Sequence, residues 1–337
     1  MTRSGNTPTN DTHLDGEHTP ATRPTTAAEH RAPQQDASGS EPVEIPRVAE
    51  TLRWGEEVLA KEGIAGARLQ ATLLLGDAME RNRAQVLASL SEPVPATAAY
   101  AFLESIKRRA AHVPLQYIRG HAPFLDFEVA VCPGVFIPRP ETELVVEEAL
   151  KLWQPTTETP WAVDVGAGSG IISIALARAR PGARIYAIDR APATLVTARQ
   201  NAKSLGVADR IAFLRGDLLA PLSAHEQAPP EPIRQAVGLV ISNPPYAPED
   251  GQDVDPEVRD HEPREAWAAG PDGMDAYARL IPQAANLLLP GRPLVLELGY
   301  GQADRVAGLL TNDGRWREPS ILPDFNEIPR ILTVLRA

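Results

Sequence analysis

Apolar side chains change their spacing twice along this chain, and each change marks a boundary. From about residue 46 to 112 the spacing is helical: Val48, Leu52, Val58 and Leu59 form one stripe that stops at Gly63, and Leu69, Leu73, Leu74 and Leu75 form a second. Shorter helices are predicted around Arg83–Leu90 and over Ala96–Ala111, the latter bounded by Pro95 and Pro114. Stripes of this kind serve core packing and predict a small helical bundle. Residues 113–140 then alternate through Phe127, Val129 and Val131, which predicts a hairpin linking the bundle to a larger domain. Beyond 140, short and nearly continuous apolar runs alternate with helical segments, as in a parallel sheet covered on both faces. The runs are Trp161–Val165, Ala183–Ile188, Arg210–Leu214, Val237–Ser242, Arg292–Leu298 and Ile331–Leu335. Helices are expected over Glu143–Trp153, Ile171–Arg178 and Asp275–Leu289, with Pro282 bending the last of these or restarting it. The fold class is therefore α/β, with an added helical bundle over 46–112, a linker over 113–140 and a larger domain over 141–337.

Composition adds a tail and removes several classes of function. Residues 1–45 hold almost no large apolar side chains, so they cannot offset the entropy of ordering and are expected to be disordered. The tail has no apolar stretch for a secretory signal, and Asp11, Asp15, Glu17 and Glu29 make it too acidic for a transit peptide. Its removal is expected to leave folding and activity nearly unchanged. The one cysteine, Cys132, excludes an internal disulfide and suits a reducing, cytoplasmic setting. The 7 histidines are scattered and form no ligand-spaced cluster with Cys132, so no metal is expected. No apolar run is long enough to span a bilayer. A net charge of −11 argues against a nucleic-acid substrate, which usually meets a basic footprint. The basic cluster Lys107-Arg108-Arg109 reads as a solvated helix face, and the Pro-rich stretch Ala220–Ala236 as a surface loop without chemistry.

The chemistry is concentrated at the carboxyl ends of two predicted strands. Trp161–Val165 leads through Asp164 into Gly166-Ala167-Gly168-Ser169-Gly170 and then a helix. Such a turn lets a ligand approach the backbone, and the helix start offers free N–H groups. The next strand ends in Asp189, about 20 residues on, where a carboxylate can take ribose hydroxyls. Val237–Ser242 ends in Asn243-Pro244-Pro245-Tyr246. Two prolines leave that turn few donors, so Asn243 Oδ1 and the Pro244 carbonyl remain as acceptors, with Tyr246 as a flat wall and Pro245 as a shape residue. Two acceptors and a wall suit a planar NH2 group. The spacing of the glycines departs from the dinucleotide pattern, and with Asp189 and Asn-Pro-Pro-Tyr it resembles class I S-adenosylmethionine-dependent methyltransferases acting on amino groups.

Further motifs narrow this. Pro114-Leu-Gln-Tyr-Ile118 with Gly120, Ile137-Pro-Arg-Pro-Glu-Thr-Glu143, Asp164–Gly170, Asn243–Tyr246, Glu262-Pro-Arg-Glu-Ala266, Gly270-Pro-Asp-Gly273 and Leu296-Glu-Leu-Gly299 occur in that order. Together they resemble the HemK/PrmC family, protein glutamine methyltransferases that modify peptide chain release factors, from about residue 47 to the C-terminus. The resemblance implies a Rossmann-like seven-stranded sheet whose last strand is antiparallel, with the bundle recognising substrate. It implies S-adenosylmethionine as co-substrate, held by Asp164, Gly166, Ala167, Gly168, Ser169, Gly170, Asp189, Asp217, Leu218 and Asn243. Asp217 would lie near the adenine amino group and Leu218 would cover the ring, where relatives often carry an aromatic. Pro271 likewise stands where relatives carry a glycine. Phe136 and Arg139 would line the cofactor entrance. Asn243, Pro244 and Tyr246 would act on the substrate amide, with Pro245 beside them. The implied reaction is methylation of the glutamine N5 atom in the Gly-Gly-Gln loop of class 1 release factors, by a monomer. Glutamine methylation of a ribosomal protein, amino methylation of a nucleic-acid base, and a non-catalytic release-factor-binding module are the competing readings. The acidic stretch Ala247–Gly273 is expected to face a basic substrate surface.

Overall fold

Four helices, Val48–Lys61, Ala67–Ala78, Arg83–Ala88 and Ala96–Ala110, form the amino-terminal bundle in a computed structural model that describes residues 46–157, 160–223 and 235–337. The tail 1–45 and residues 224–234 of the expected surface loop lie outside the described residues. The third helix starts on a reciprocal cap: the Asn82 side chain accepts from the Gln85 N–H at 2.9 Å, and Gln85 Oε1 accepts from the Asn82 N–H at 2.9 Å. Leu52, Leu59, Leu74, Leu75, Phe102 and Ile106 are buried together as the bundle core. Full burial of each such side chain contributes about 1.5–3 kcal/mol.

Arg109 corrects the expectation of a solvated basic face. It is 5% exposed, and donates to Gln70 Oε1 at 2.7 Å, to the Val113 carbonyl at 3.0 Å and to Glu257 at 2.6 Å. A helix face is basic or apolar by sequence alone. Whether an element distant in sequence covers it is a tertiary fact.

A short helix, Leu115–Arg119, leads into the hairpin of β1 (His121–Phe124) and β2 (Phe127–Ala130), which pair antiparallel. Asn201, on the helix Pro192–Ser204, docks this hairpin. Its Oδ1 accepts from the Ala130 N–H at 2.8 Å, while its Nδ2 donates to the carbonyls of Ala130 at 3.0 Å and Ser169 at 2.9 Å.

The remaining strands are β3 (Trp161–Val165), β4 (Arg184–Asp189), β5 (Ile211–Arg215), β6 (Val237–Ser242), β7 (Pro293–Glu297), β8 (Ser320–Pro323) and β9 (Pro329–Leu335). They form one sheet in the order β5-β4-β3-β6-β7-β9-β8. The strands β3 to β7 run parallel, and β9 is antiparallel to both β7 and β8. The sheet lies between two apolar layers, and strand parity assigns side chains to each: Ala162, Ile185 and Ile241 face one layer, Val163, Tyr186 and Val240 the other. Both faces are covered, which is why these strands read as continuous apolar runs rather than as an alternation.

The structure differs from these expectations in three respects. The helix after the linker is Pro140–Leu152, starting earlier than expected because Pro140 occupies its first turn, where a missing N–H costs nothing. Asp275–Leu287 continues through Pro282 as a single helix rather than restarting. The edge strand β8 and the short helix Pro256–His261 have no strong apolar period and were not expected from sequence.

Candidate active site

Strand order places the chemistry. Reversal of strand order at β3 and β6 opens a crevice at their carboxyl ends, where open α/β sheets take ligands. A cavity of about 450 Å³ lies there. Gly166, Ala167, Gly168, Ser169, Asp189, Asp217, Leu218, Asn243, Pro244, Pro245 and Tyr246 all line it, as do Phe136 and Arg139. Residues far apart in sequence thus share one wall because their strands are neighbours.

Asp164 and Gly170, grouped with these by sequence, do not line the cavity. Asp164 lies behind the turn, fully buried, with Oδ2 accepting from the Ser173 N–H at 3.0 Å and the Ser173 hydroxyl at 2.6 Å. It braces the turn against the helix Ile171–Ala179. Gly170 precedes that helix at φ 88°, and a Cβ on it would meet Ala198 Cβ at 3.1 Å. Its place is a close crossing of two helices.

Asp189 ends β4 half-buried, with Oδ2 accepting from the Gly168 N–H at 3.0 Å and Oδ1 from the Ala191 N–H at 2.9 Å. Each oxygen keeps a further lone pair for a hydroxyl. Burial pushes its carboxyl upward, opposed by these backbone N–H groups. Asp217 is paired with Arg279, also on the cavity wall, and Leu218 stands at φ 51°. A half-buried carboxylate with spare lone pairs, a glycine turn that lets a ligand approach the backbone and an apolar wall of Ile188 and Leu218 together fit a nucleoside with an amino-acid tail.

The Asn-Pro-Pro-Tyr turn is held from three motifs that sequence singled out without a role. Gln302 donates to the Tyr246 carbonyl at 2.8 Å, and Gly273, at φ 73°, lets that carbonyl approach: a Cβ there would fall 2.1 Å from it. The Tyr246 ring packs where a Cβ on Gly299 would come within 2.9 Å of its Cδ2. Asn243 Nδ2 donates to Thr142 Oγ1 at 3.0 Å, and Thr142 donates to Glu297 Oε2 at 2.6 Å. Glu262 corrects the acidic-stretch expectation. It is buried, takes the Ile137 N–H at 2.9 Å and forms an ion pair with Arg139. Glu249, Glu257 and Asp260 in that stretch are also ion-paired, with Arg264, Arg109 and Arg259.

Burial pushes two carboxyls up to about 7, Asp164 and Glu297, against hydrogen bonds from Ser173 and Thr142 that pull them down. Each therefore holds its proton more tightly folded than unfolded, so the native state binds more protons between the ordinary carboxylate range and about 7. Stability from these groups is full at the acid end of that window and is lost as pH rises through it. The expected result is a urea midpoint that falls from about pH 5 to about pH 8, with a shallower fall in Glu297→Gln. A midpoint that climbs over this range, or an unchanged slope in the variant, would contradict the assignment.

Among the described residues no group of His, Cys, Asp and Glu could hold a metal ion, and no helix is long and apolar enough to cross a membrane.

The sheet order, the antiparallel β9 and the glycine turn beside an Asn-Pro-Pro-Tyr turn are those of a class I S-adenosylmethionine-dependent methyltransferase. Residues 50–120 match the PrmC N-terminal domain, and residues 149–234 match the precorrin methyltransferase domain. The release factor glutamine methyltransferase of Moorella thermoacetica is 42% identical over 273 residues, 80% of this chain and 93% of its own length. That of Geobacter sulfurreducens is 36% identical over 276 residues, 82% of this chain and 92% of its own. The Mycolicibacterium smegmatis protein of the same description is 36% identical over 292 residues, 87% of this chain and 99% of its own. The chain belongs to the release factor glutamine methyltransferase family.

Proposed function

We propose that this protein methylates the N5 atom of the glutamine in the Gly-Gly-Gln motif of class 1 peptide chain release factors, in the cytoplasm, with the bundle Val48–Ala110 helping to recognise the substrate. The observation that carries the reading is the Asn243–Tyr246 turn beside the glycine turn on one cavity wall, in a chain of this family. S-adenosylmethionine, when bound, supplies an electrophilic methyl group on a sulfonium. The Gly166–Ser169 turn would hold its amino-acid end, Asp189 its ribose, and Leu218 its ring.

A glutamine amide nitrogen is a poor nucleophile because its lone pair is conjugated with the carbonyl, on a scale set by the amide rotation barrier of about 18–20 kcal/mol. Attack pulls nitrogen towards tetrahedral geometry and places positive charge on its hydrogens. Asn243 Oδ1 and the Pro244 carbonyl accept those hydrogens, stabilise the charge as it develops and aim the lone pair. This is the logic of an oxyanion hole with the sign reversed. Tyr246 packs along the amide plane and excludes water. The product nitrogen sheds one proton to solvent without a dedicated base.

The test is transfer of labelled methyl to purified release factor, DNA, RNA and ribosomes, with a Gly-Gly-Gln→Gly-Gly-Ala release factor as control. Label is expected on the unaltered release factor alone; label on nucleic acid, or retained by the altered factor, would overturn the assignment. Asp189→Ala is expected to weaken S-adenosylmethionine binding in calorimetry while single-turnover rate at saturation stays near wild type. Unchanged affinity would remove Asp189 from the cofactor site.

A further inference from the structure

Asn243 is the side chain whose orientation matters most, and an amide has two nearly isosteric orientations. Only one presents Oδ1 to a substrate NH2 group; the other presents a second NH2, which repels it. Backbone packing does not choose between them. The choice rests on what the far side of the amide touches.

On that far side, residues of two other elements form a relay. Thr142 projects from the first turn of Pro140–Leu152 and is 1% exposed. Glu297 is the last residue of β7, also 1% exposed. Asn243 follows β6 directly. Its Nδ2 donates to Thr142 Oγ1 at 3.0 Å, and the Thr142 hydroxyl donates to Glu297 Oε2 at 2.6 Å.

Once ionised, which burial delays until pH is near 7, Glu297 has acceptors only, so the Thr142 proton then points to it. Thr142 Oγ1 then has only lone pairs to offer Asn243, and only the NH2 end of the amide can use them. The polarity of the chain is fixed from its buried end. Glu297 is an expensive residue to bury, and packing alone would favour an apolar side chain there.

We propose that Thr142 and Glu297 are positioning residues that lock the Asn243 amide with Oδ1 towards the substrate. The inference rests on the role given to Asn243 above. Neither residue needs to touch the reacting atoms. Their effect passes through one torsion angle of Asn243, and belongs in the rate of the chemical step rather than in cofactor affinity.

Thr142→Val keeps the shape and removes the hydroxyl, and Thr142→Ser restores a hydroxyl without the methyl group. Single-turnover methylation of release factor, cofactor affinity and melting temperature would be measured for both. Thr142→Val is expected to lose about tenfold in rate with unchanged cofactor affinity, the order of one positioned hydrogen bond. Thr142→Ser is expected to recover most of the loss. In the Asn243→Ala background, Thr142→Val is expected to cost nothing further, since the torsion it controls is gone. An undiminished rate in Thr142→Val, no recovery in Thr142→Ser, or an equal loss in the Asn243→Ala background would overturn the lock. Wild-type activity in Asn243→Ala itself would instead overturn the role of Asn243, so the two failures are distinguishable.

Discussion

Asn243→Ala is expected to slow single-turnover methylation of a release factor by about 10²–10³ while leaving S-adenosylmethionine affinity nearly unchanged. In the proposed reaction Asn243 offers one of two acceptors for the amide hydrogens, and the positive charge on those hydrogens grows in the transition state. Loss of a preorganised partner at such a point falls on the chemical step rather than on ground-state binding. The residues expected to hold the cofactor, Asp189 and the Gly166–Ser169 turn, belong to β4 and the turn after β3, and Asn243 follows β6. Calorimetric affinity and single-turnover rate should therefore separate cleanly. A near-wild-type rate would place the active centre elsewhere, and a parallel collapse of cofactor affinity would show that Asn243 serves the cofactor first.

Arg139→Ala is expected to give the largest loss of stability, about 3–5 kcal/mol, measured by urea unfolding without ligand. The Glu262 side chain is 2% exposed and its ion pair is with Arg139, with the Ile137 N–H as its further partner. Burial already pushes the Glu262 carboxyl upward, and the Arg139 charge is the main opposing influence. Without it a buried charge is uncompensated or must take up a proton. A domain of ordinary stability, about 5–15 kcal/mol, would lose a large fraction of its margin. The double variant Arg139→Met with Glu262→Gln should recover most of the loss, because the neutral amide still accepts the Ile137 N–H. A small loss in Arg139→Ala, or no recovery in the double variant, would show that the pair is not what holds this stretch in place.

Features legible in the sequence and features hidden from it differ in the range of the interactions behind them. The glycine turn, Asp189 and Asn243–Tyr246 were legible because each is a local event: a strand ends, the backbone turns, and the side chains at that point face the crevice. Bundle helices and central strands were legible for the same reason, since periodicity records which face is covered. Arg109, Glu262, Thr142 and Glu297 stand in recognisable motifs, yet their roles were not legible. Arg109 meets Glu257 across 148 positions, Arg139 meets Glu262 across 123 and Thr142 meets Glu297 across 155. No local pattern distinguishes a basic residue that will be solvated from one that will be buried against a carboxylate. Asp164 and Gly170 stand off the cavity wall for a related reason. Their spacing marks them as part of the turn, but which side of a turn faces the ligand depends on the helix behind it.

The sequence by itself determined the α/β class, the central strands and the positions of the glycine turn and of Asn243–Tyr246, all of which depend on neighbours within a few positions. The tertiary structure alone decided that thirteen of the expected site residues, Phe136 and Arg139 among them, share one cavity, that Glu262 is a buried ion-pair partner, and that Glu297 reaches Asn243 through Thr142. Those facts depend on chain segments more than a hundred residues apart meeting at the end of one sheet, and only folding brings them within the range of a hydrogen bond.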